Sequence, residues 1–185
     1  MGRADGGPVG HAGGVTDGQR VPETEADDRR VRVFFDLDVD EDGWPPVATE
    51  TMWARPTDEP DLFVLDNIPF FVRGLSDGDV LRAVRDEDGR LVVTEHLASS
   101  GNCTIRVIPL SDGPLAGDKQ AVLDAFAPLG VEGEGVGQFD LVALNVPPEA
   151  DLDRVKGLLL RGVEDGSWDY EEGCIGDAWD AAAPR

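Results

Sequence analysis

The spacing of apolar residues changes near residue 100, and this change limits the folds that the chain can adopt. Before it, short apolar runs alternate with turn residues, and the Asp-Gly pair at 88–89 lies between two such runs, as in a β-hairpin. After it, apolar residues recur at helical spacing in the segments 122–129 and 152–159. Strands alone, followed by strands mixed with helices, predict an α+β protein with two halves.

The first half, residues 31–100, contains five or six short strands and no helical pattern. The runs that predict strands lie at 31–38, 47–54, 62–66, 69–73, 79–85 and 90–96. Strands this short and this closely spaced are typical of a small β-barrel or of a tightly curled antiparallel sheet.

The second half, residues 101–175, combines strands with two helices. A strand at 103–110 precedes a helix with Asp118 as its N-cap, and a strand pair follows around residues 135–138. A second helix follows the two prolines at 147–148 and ends at or just before Gly162. With a possible last strand at 167–174, the order is βαββα(β), which predicts a ferredoxin-like arrangement.

Both ends of the chain are predicted to lie outside these two halves. Residues 1–30 are rich in glycine and poor in large apolar side chains, so they are expected to form a disordered arm. Residues 176–185 are acidic and rich in alanine, which predicts a flexible tail with Trp179 as the most exposed tryptophan.

The net charge of −22 is the strongest constraint on partners. Residues 1–30 contain six acidic and four basic residues, so −20 of this charge lies on residues 31–185. Such a field repels nucleic acids and anionic membranes, and it attracts cationic proteins or peptides. The alternative is compositional, since bacteria with GC-rich genomes prefer arginine to lysine, and salt-adapted proteins are acidic and poor in lysine.

Cysteine content and hydropathy predict the cytoplasm. Two cysteines are too few for a disulfide framework, and no apolar run approaches the roughly 18 residues needed to cross a bilayer. The first residues lack the continuous apolar stretch of a secretory signal. No motif predicts a cofactor, and the sequence leaves the oligomeric state open.

Two patterns suggest chemistry, and both have simpler interpretations. Asp38, Asp40 and Asp42 resemble the start of a calcium-binding loop, but Glu50 falls one position too late and a strand precedes the loop, so no metal site is predicted. Cys103 and His96 suggest a nucleophile with its base, but Cys103 opens an apolar strand, where a small buried residue is expected. No catalytic residue is therefore assigned.

A third pattern consists of polar residues on or near predicted turns, and it supplies the candidate ligand-binding residues. These residues are Asn67, Asp77, Asp79, Ser100 and Arg106. One interpretation is a polar pocket between the two halves. The other is ordinary turn chemistry, since Asn67 precedes Ile-Pro and Asp77 precedes glycine.

The segments 44–53 (WPPVATETMW), 66–81 (DNIPFFVRGLSDGDVL) and 99–107 (SSGNCTIRV) resemble an uncharacterised bacterial family, domain of unknown function 4265. The matching positions are Trp44, Glu50, Trp53, Asn67, Pro69, Phe70, Gly78, Asp79, Ser100, Gly101, Thr104 and Arg106. The family pattern has His where this chain has Asn102, and Ser where it has Cys103. The resemblance covers about residues 31–175 and implies a domain extent but no activity.

Two functional hypotheses follow from these observations. The first is a non-enzymatic acidic binding module that docks a cationic protein or peptide, as immunity proteins and inhibitors do. The second is a small enzyme or ligand-binding sensor with a polar pocket between the halves.

Overall fold

The computed structural model describes residues 29–185, which form two β-sheets and three α-helices. The predicted α+β class is confirmed. The predicted arm, residues 1–30, lies outside the described residues except for Arg29 and Arg30.

The first sheet contains the five strands before residue 100. They are β1 (Val31–Asp36), β2 (Thr49–Pro56), β3 (Leu62–Leu65), β4 (Val80–Arg85) and β5 (Leu91–Ala98). Consecutive strands pair antiparallel. β1 also pairs in parallel with β5, through Val33 opposite Leu91 and Phe34 opposite Val92.

The strand predicted at 69–73 is wrong, because these residues lie in the loop 66–79 that joins β3 to β4. Pro69 has no backbone N–H to offer a neighbouring strand. The next three backbone N–H groups donate instead to the side chain of Glu50 on β2, so the segment is held by one carboxylate and not by a ladder of strand pairs.

Period-two alternation builds the core of the first sheet. In β2, for example, Met52 and Ala54 are buried while Thr51 and Trp53 face outward. The buried apolar side chains inside this sheet are Val33, Phe35, Met52, Ala54, Phe63, Leu65, Leu75, Leu81, Ala83 and Leu91. Their removal from water drives the folding of this half.

The second sheet is antiparallel throughout and lies under helices. Its strands are β6 (Cys103–Pro109), β7 (Glu132–Gly135), β8 (Val142–Val146) and β9 (Trp168–Cys174), in the order β7-β8-β6-β9. Helix α1 (Lys119–Phe126) connects β6 to β7, with a short 3₁₀ turn at Ala127–Leu129 after it, and α2 (Leu152–Glu164) connects β8 to β9. The Asp118 carboxylate accepts the backbone N–H groups of Gln120 and Ala121, which confirms the predicted N-cap.

Gly162 does not end the second helix, so that expectation is wrong. α2 continues to Glu164, and Gly162 is buried inside it. A Cβ atom at this position would lie 1.9 Å from Cε2 of Trp168. The glycine is therefore present to admit an indole ring and not to cap the helix.

The tail forms α3 (Asp177–Ala181), and the predicted exposure of Trp179 is wrong because only 1% of this residue is accessible. Its ring lies in the core of the second half, and its Nε1–H donates to Oε1 of Glu172 at 2.8 Å. Lys156 of α2 lies over the ring, 5.1 Å from its centroid. Acidic composition around one large aromatic residue had suggested solvent, but the aromatic side chain decides the packing.

Strand β6 is buried on both faces, and this determines how the halves meet. Cys103, Ile105 and Val107 pack in the core with the helices, which confirms the expected burial of Cys103. Thr104 and Arg106 point the other way and contact the loop 66–79 of the first half. The junction between the halves is therefore polar, while each half has its own apolar core.

Candidate binding site

The loop 66–79 forms the wall between the two halves, and Glu50 fixes its shape. The Glu50 side chain is only 8% exposed, and its two oxygens accept the backbone N–H groups of Phe70, Phe71 and Val72 at 2.7–2.9 Å. Hydrogen bonds to a charged acceptor are stronger than neutral ones. One buried carboxylate thus holds a loop that has no regular secondary structure.

The second sheet holds the same loop from the other side. Arg106 is 3% exposed, donates to the Val72 carbonyl and pairs with Glu171 at 3.3 Å. Thr104 donates to the Leu75 carbonyl at 3.0 Å, and the Gly74 N–H donates to the Gly173 carbonyl at 2.8 Å. These bonds account for Arg106 as a packing residue of the junction.

Asp79 organises the end of the loop. Its fully buried carboxylate accepts the N–H groups of Ser76 and Ser100, at 3.0 and 2.8 Å, and lies 3.1 Å from Nε2 of His96. His96 therefore contacts a carboxylate and not Cys103. Burial raises the pKa of the Cys103 thiol, which disfavours the thiolate that a nucleophile requires.

A cleft of about 300 Å³ opens between the loop 66–79 and the edge of the second sheet; we call it the inter-sheet cleft. Its lining residues are Arg30, Asp66, Asn67, Ile68, Asp77, Glu132, Gly133, Glu134 and Asn145. Four of them are carboxylates, and within residues 29–185 Arg30 is the single cationic side chain of the lining.

Strand geometry explains how the acidic side chains of β7 reach this cleft. Glu132 lies opposite Asn145, and Glu134 lies opposite Ala143, so the two glutamates share the face of the sheet that looks toward the first half. Gly133 between them faces α1, where a Cβ would lie 2.7 Å from Cδ2 of Leu123. The alternation of glutamate and glycine in this edge strand thus separates an acidic face from a packed one.

The electrostatics of the cleft favour an incoming positive charge. Burial raises the pKa of Asp77, and the nearby carboxylates of Asp66 and Glu132 raise it further. Arg30 and Arg55 lie 2.7 and 3.6 Å from Asp66 and partly balance that carboxylate, and Arg55 also opposes the rise in the pKa of Asp77. Oδ1 of Asn145, a lining residue, is buried and has no hydrogen-bond partner within residues 29–185.

The structure divides the predicted ligand residues into two groups. Asn67 and Asp77 line the cleft, and Oδ1 of Asn67 also accepts the Trp53 N–H at 2.8 Å. Asp79, Ser100 and Arg106 do not line it and instead hold the loop and the junction. Sequence reasoning missed Asp66, Glu132, Glu134 and Asn145, although the alternating EGEG pattern was a signal for an edge strand with one acidic face.

The described part of the chain offers neither a metal site nor a membrane helix. No group of three or more His, Cys, Asp or Glu side chains within residues 29–185 is placed to hold a metal ion. Among the described helices, none has the length and apolarity to cross a bilayer.

Comparisons with known proteins identify a similar solved structure and a matching family. No curated protein matches the chain. Among solved structures, the chain is similar to one titled as the novel crystal structure of a hypothetical protein from Neisseria gonorrhoeae, with 22% identity and a TM-score of 0.61. The similarity covers 80% of this chain and 96% of that one, and at this identity it shows a shared fold. The sequence profile of a family described as a domain of unknown function, DUF4265, matches residues 50–170. Because the match covers more than half of the sequence, the chain belongs to the DUF4265 family.

Proposed function

We propose that the chain is a non-catalytic binding module that docks a cationic protein or peptide through the inter-sheet cleft. The observation that carries the proposal is the imbalance of the lining, in which four carboxylates face one guanidinium. Lysine and arginine side chains have only donors, so they complement a surface that has mainly acceptors.

The raised pKa of Asp77 adds a reason for a cationic occupant. Burial, and then the neighbouring Asp66 and Glu132, raise the pKa of Asp77 and make its charged form less favourable than in the unfolded chain. An ammonium or guanidinium group next to Asp77 would favour that charged form. Binding therefore relieves a repulsion that folding creates.

The walls of the cleft are fixed before a partner arrives. Asn67 is tied to β2 through the Trp53 N–H, and the loop 66–79 is held by Glu50 and by Arg106. Preorganised walls lower the entropy lost on binding, so more of the electrostatic attraction contributes to affinity.

A small cationic ligand is the second candidate, and the size of the cleft favours it. A volume of about 300 Å³ lies at the low end of the range for small-molecule pockets. This version corresponds to the hypothesis of a ligand-binding sensor with a polar pocket between the halves. Asn67 and Asp77 would contact the ligand, and Asp66, Glu132 and Glu134 would be further contacts.

We also propose a fold type for each half and a compartment for the protein. We take the closed five-stranded sheet as a small β-barrel and the second half as a ferredoxin-like unit. The connection β6-α1-β7-β8-α2-β9 and the strand order β7-β8-β6-β9 support the second assignment. The unpaired thiols of Cys103 and Cys174 support a reducing compartment such as the cytoplasm.

A titration with a basic tripeptide tests the cleft directly. The probe is acetyl-Lys-Lys-Lys-amide, measured by calorimetry against the wild type and against Asp77→Asn/Glu134→Gln. We expect the double variant to bind at least about tenfold more weakly, since it removes two charges from the lining. Raising the salt from about 0.05 M to about 0.5 M should weaken the wild-type complex.

The matched control is Asp58→Asn/Glu59→Gln, which also removes one aspartate and one glutamate charge, but from the exposed turn between β2 and β3. This control should change the affinity by less than about twofold. Equal losses in the two variants would mean that the overall field attracts the peptide and that the cleft has no special part. N-acetyl-putrescine in place of the peptide distinguishes the small-ligand version.

A further inference from the structure

A second cleft lies beside the loop between β1 and β2, and it contains an exposed tryptophan. We call it the tryptophan cleft; its lining residues are Asp36, Leu37, Asp38, Asp40, Trp44, Pro45, Phe71 and Arg73, and its volume is about 460 Å³. It shares no lining residue with the inter-sheet cleft. Trp44 is 47% exposed, the highest value for any tryptophan of the chain.

The other three tryptophans show how this chain places its indole rings. Trp53 is partly exposed, and the guanidinium of Arg32 covers it at 5.1 Å, while Trp179 carries Lys156 at the same distance. Trp168 is buried, with its Nε1–H bonded to the Leu159 carbonyl. Within residues 29–185, Trp44 alone is exposed with no cation over its ring.

The Trp44 ring is held in place although it is exposed. The Asp40 carboxylate accepts the N–H groups of Asp42 and Trp44 at 3.0 and 2.8 Å, and the Asp40 N–H donates to the Trp44 carbonyl. On its inner side the indole meets Phe71 edge-to-face at 5.7 Å, and Phe71 in turn meets Phe139 at 5.3 Å. An ordered aromatic face costs little further entropy when a ligand stacks on it.

Charge around the ring is negative. Asp36, Asp38 and Asp40 line the cleft. Arg73 also lines the cleft, and its Nη2 pairs with Oε1 of Glu171 at 2.6 Å. A cation over Trp44 would therefore meet both the electron-rich ring face and nearby carboxylates.

We propose that the tryptophan cleft is a second binding site, which takes one lysine or arginine side chain of a basic peptide, with the cationic group over Trp44 and beside Asp36 and Asp38. The inference goes beyond the proposed function, since it uses other residues and holds whether or not the inter-sheet cleft binds. Within the chain, Arg32 on Trp53 already shows the geometry that the guest would adopt.

The test follows the indole Nε1–H signals by ¹H–¹⁵N NMR while acetyl-Gly-Lys-Gly-amide is added. Four tryptophans give four signals, and Trp44→Leu assigns the relevant one. We expect the Trp44 signal to move with added peptide. The counterpart with norleucine in place of lysine, which has the same chain without the charge, should move it at least about threefold less.

Two substitutions separate binding from folding. Asp38→Asn keeps the Trp44 ring and should weaken peptide binding by about threefold. Asp42→Asn removes a charge from the same turn but not from the cleft, and it should change peptide binding by less than about twofold.

The site is refuted if the norleucine peptide acts as strongly as the lysine peptide. Equal movement of the Trp53 and Trp44 signals, or no movement of the Trp44 signal at about 50 mM peptide, also refutes it. The Asp77→Asn/Glu134→Gln variant should leave the Trp44 response unchanged, so failure of one cleft does not conceal the result at the other.

Discussion

Nε2 of His96 lies 3.1 Å from Oδ2 of Asp79, and this contact joins strand β5 to the end of the loop 66–79. The same carboxylate accepts the buried N–H of Ser76 and the N–H of Ser100. The partly exposed imidazole is thus one of three groups that converge on a fully buried acid.

Asp79→Ala should lower the free energy of unfolding by about 2–4 kcal/mol, because it leaves two backbone donors without an acceptor. His96→Ala, at an exposed partner, should cost less than about 1 kcal/mol. Urea denaturation of both variants checks the comparison. Equal losses would mean that the imidazole, and not the backbone donors, is the main partner of Asp79.

Glu50→Ala should destabilise the protein by about 3 kcal/mol, since three backbone N–H groups of the loop would lose a charged acceptor. Glu50→Gln keeps one carbonyl oxygen and should cost less. Glu59→Gln, on an exposed turn, is the matched control and should change stability by less than about 0.5 kcal/mol. Protection of the Phe71 amide in hydrogen exchange should fall in the Glu50 variants alone.

Asp77→Asn should raise the melting temperature slightly at neutral pH, by no more than about 3 °C. The folded state raises the pKa of Asp77 above its ordinary value of 3.8, so the folded chain holds this proton more tightly than the unfolded chain. The contribution of Asp77 to stability therefore falls as the pH rises from the pKa of the unfolded chain through the higher pKa of the folded chain.

The difference between Asp77→Asn and the wild type should accordingly shrink as the pH is lowered toward about 4. A melting temperature measured by calorimetry across this range is sufficient. A variant that is less stable than the wild type at neutral pH would mean that the Asp77 carboxylate stabilises the fold, contrary to the repulsion described in the cleft.

Trp179→Ala should cost about 3–5 kcal/mol, as expected for the loss of a large buried aromatic side chain. Trp53→Ala, at a residue that is 40% exposed, should cost clearly less. Chemical denaturation followed by circular dichroism distinguishes them. A small loss at Trp179 would show that α3 contributes little to the second core.

Gly162→Ala should destabilise the protein by about 1–3 kcal/mol, although alanine is the better helix former, because the added methyl group would overlap the Trp168 ring. Gly137→Ala is the control, since a Cβ there meets no atom within 4 Å. Thermal melting of both variants gives the comparison, and a gain in stability at Gly162 would contradict the assigned packing.

Local patterns predicted the parts of the fold that depend on local physics. The Asp118 cap, the α+β class and the burial of Cys103 all follow from residue type and spacing. The errors at residues 69–73, Gly162 and Trp179 share a different cause. Each depends on a partner far along the chain, namely Glu50, Trp168 or the core of the second half, which a sequence pattern does not contain.

The candidate site shows the same division. Asn67 and Asp77 were candidates because they are polar residues on or near predicted turns, and both line the inter-sheet cleft. Glu132 and Glu134 belong to it only because β7 lies at the edge of the second sheet, beside the first half. Asp79 and Arg106 looked equally suitable in sequence, yet their side chains are used in holding the two halves together.

The parallel pairing of β1 with β5 has a consequence for synthesis of the chain on the ribosome. Val33 and its partner Leu91 are nearly sixty residues apart, so β1 leaves the ribosome long before the strand that covers its second edge. Until then the β1 edge at Val33 and Phe34 has no partner strand, and such open edges recruit strands from neighbouring molecules. Slower elongation over the codons between β2 and β5 would prolong this interval, so the yield of folded protein should depend on translation speed in that segment.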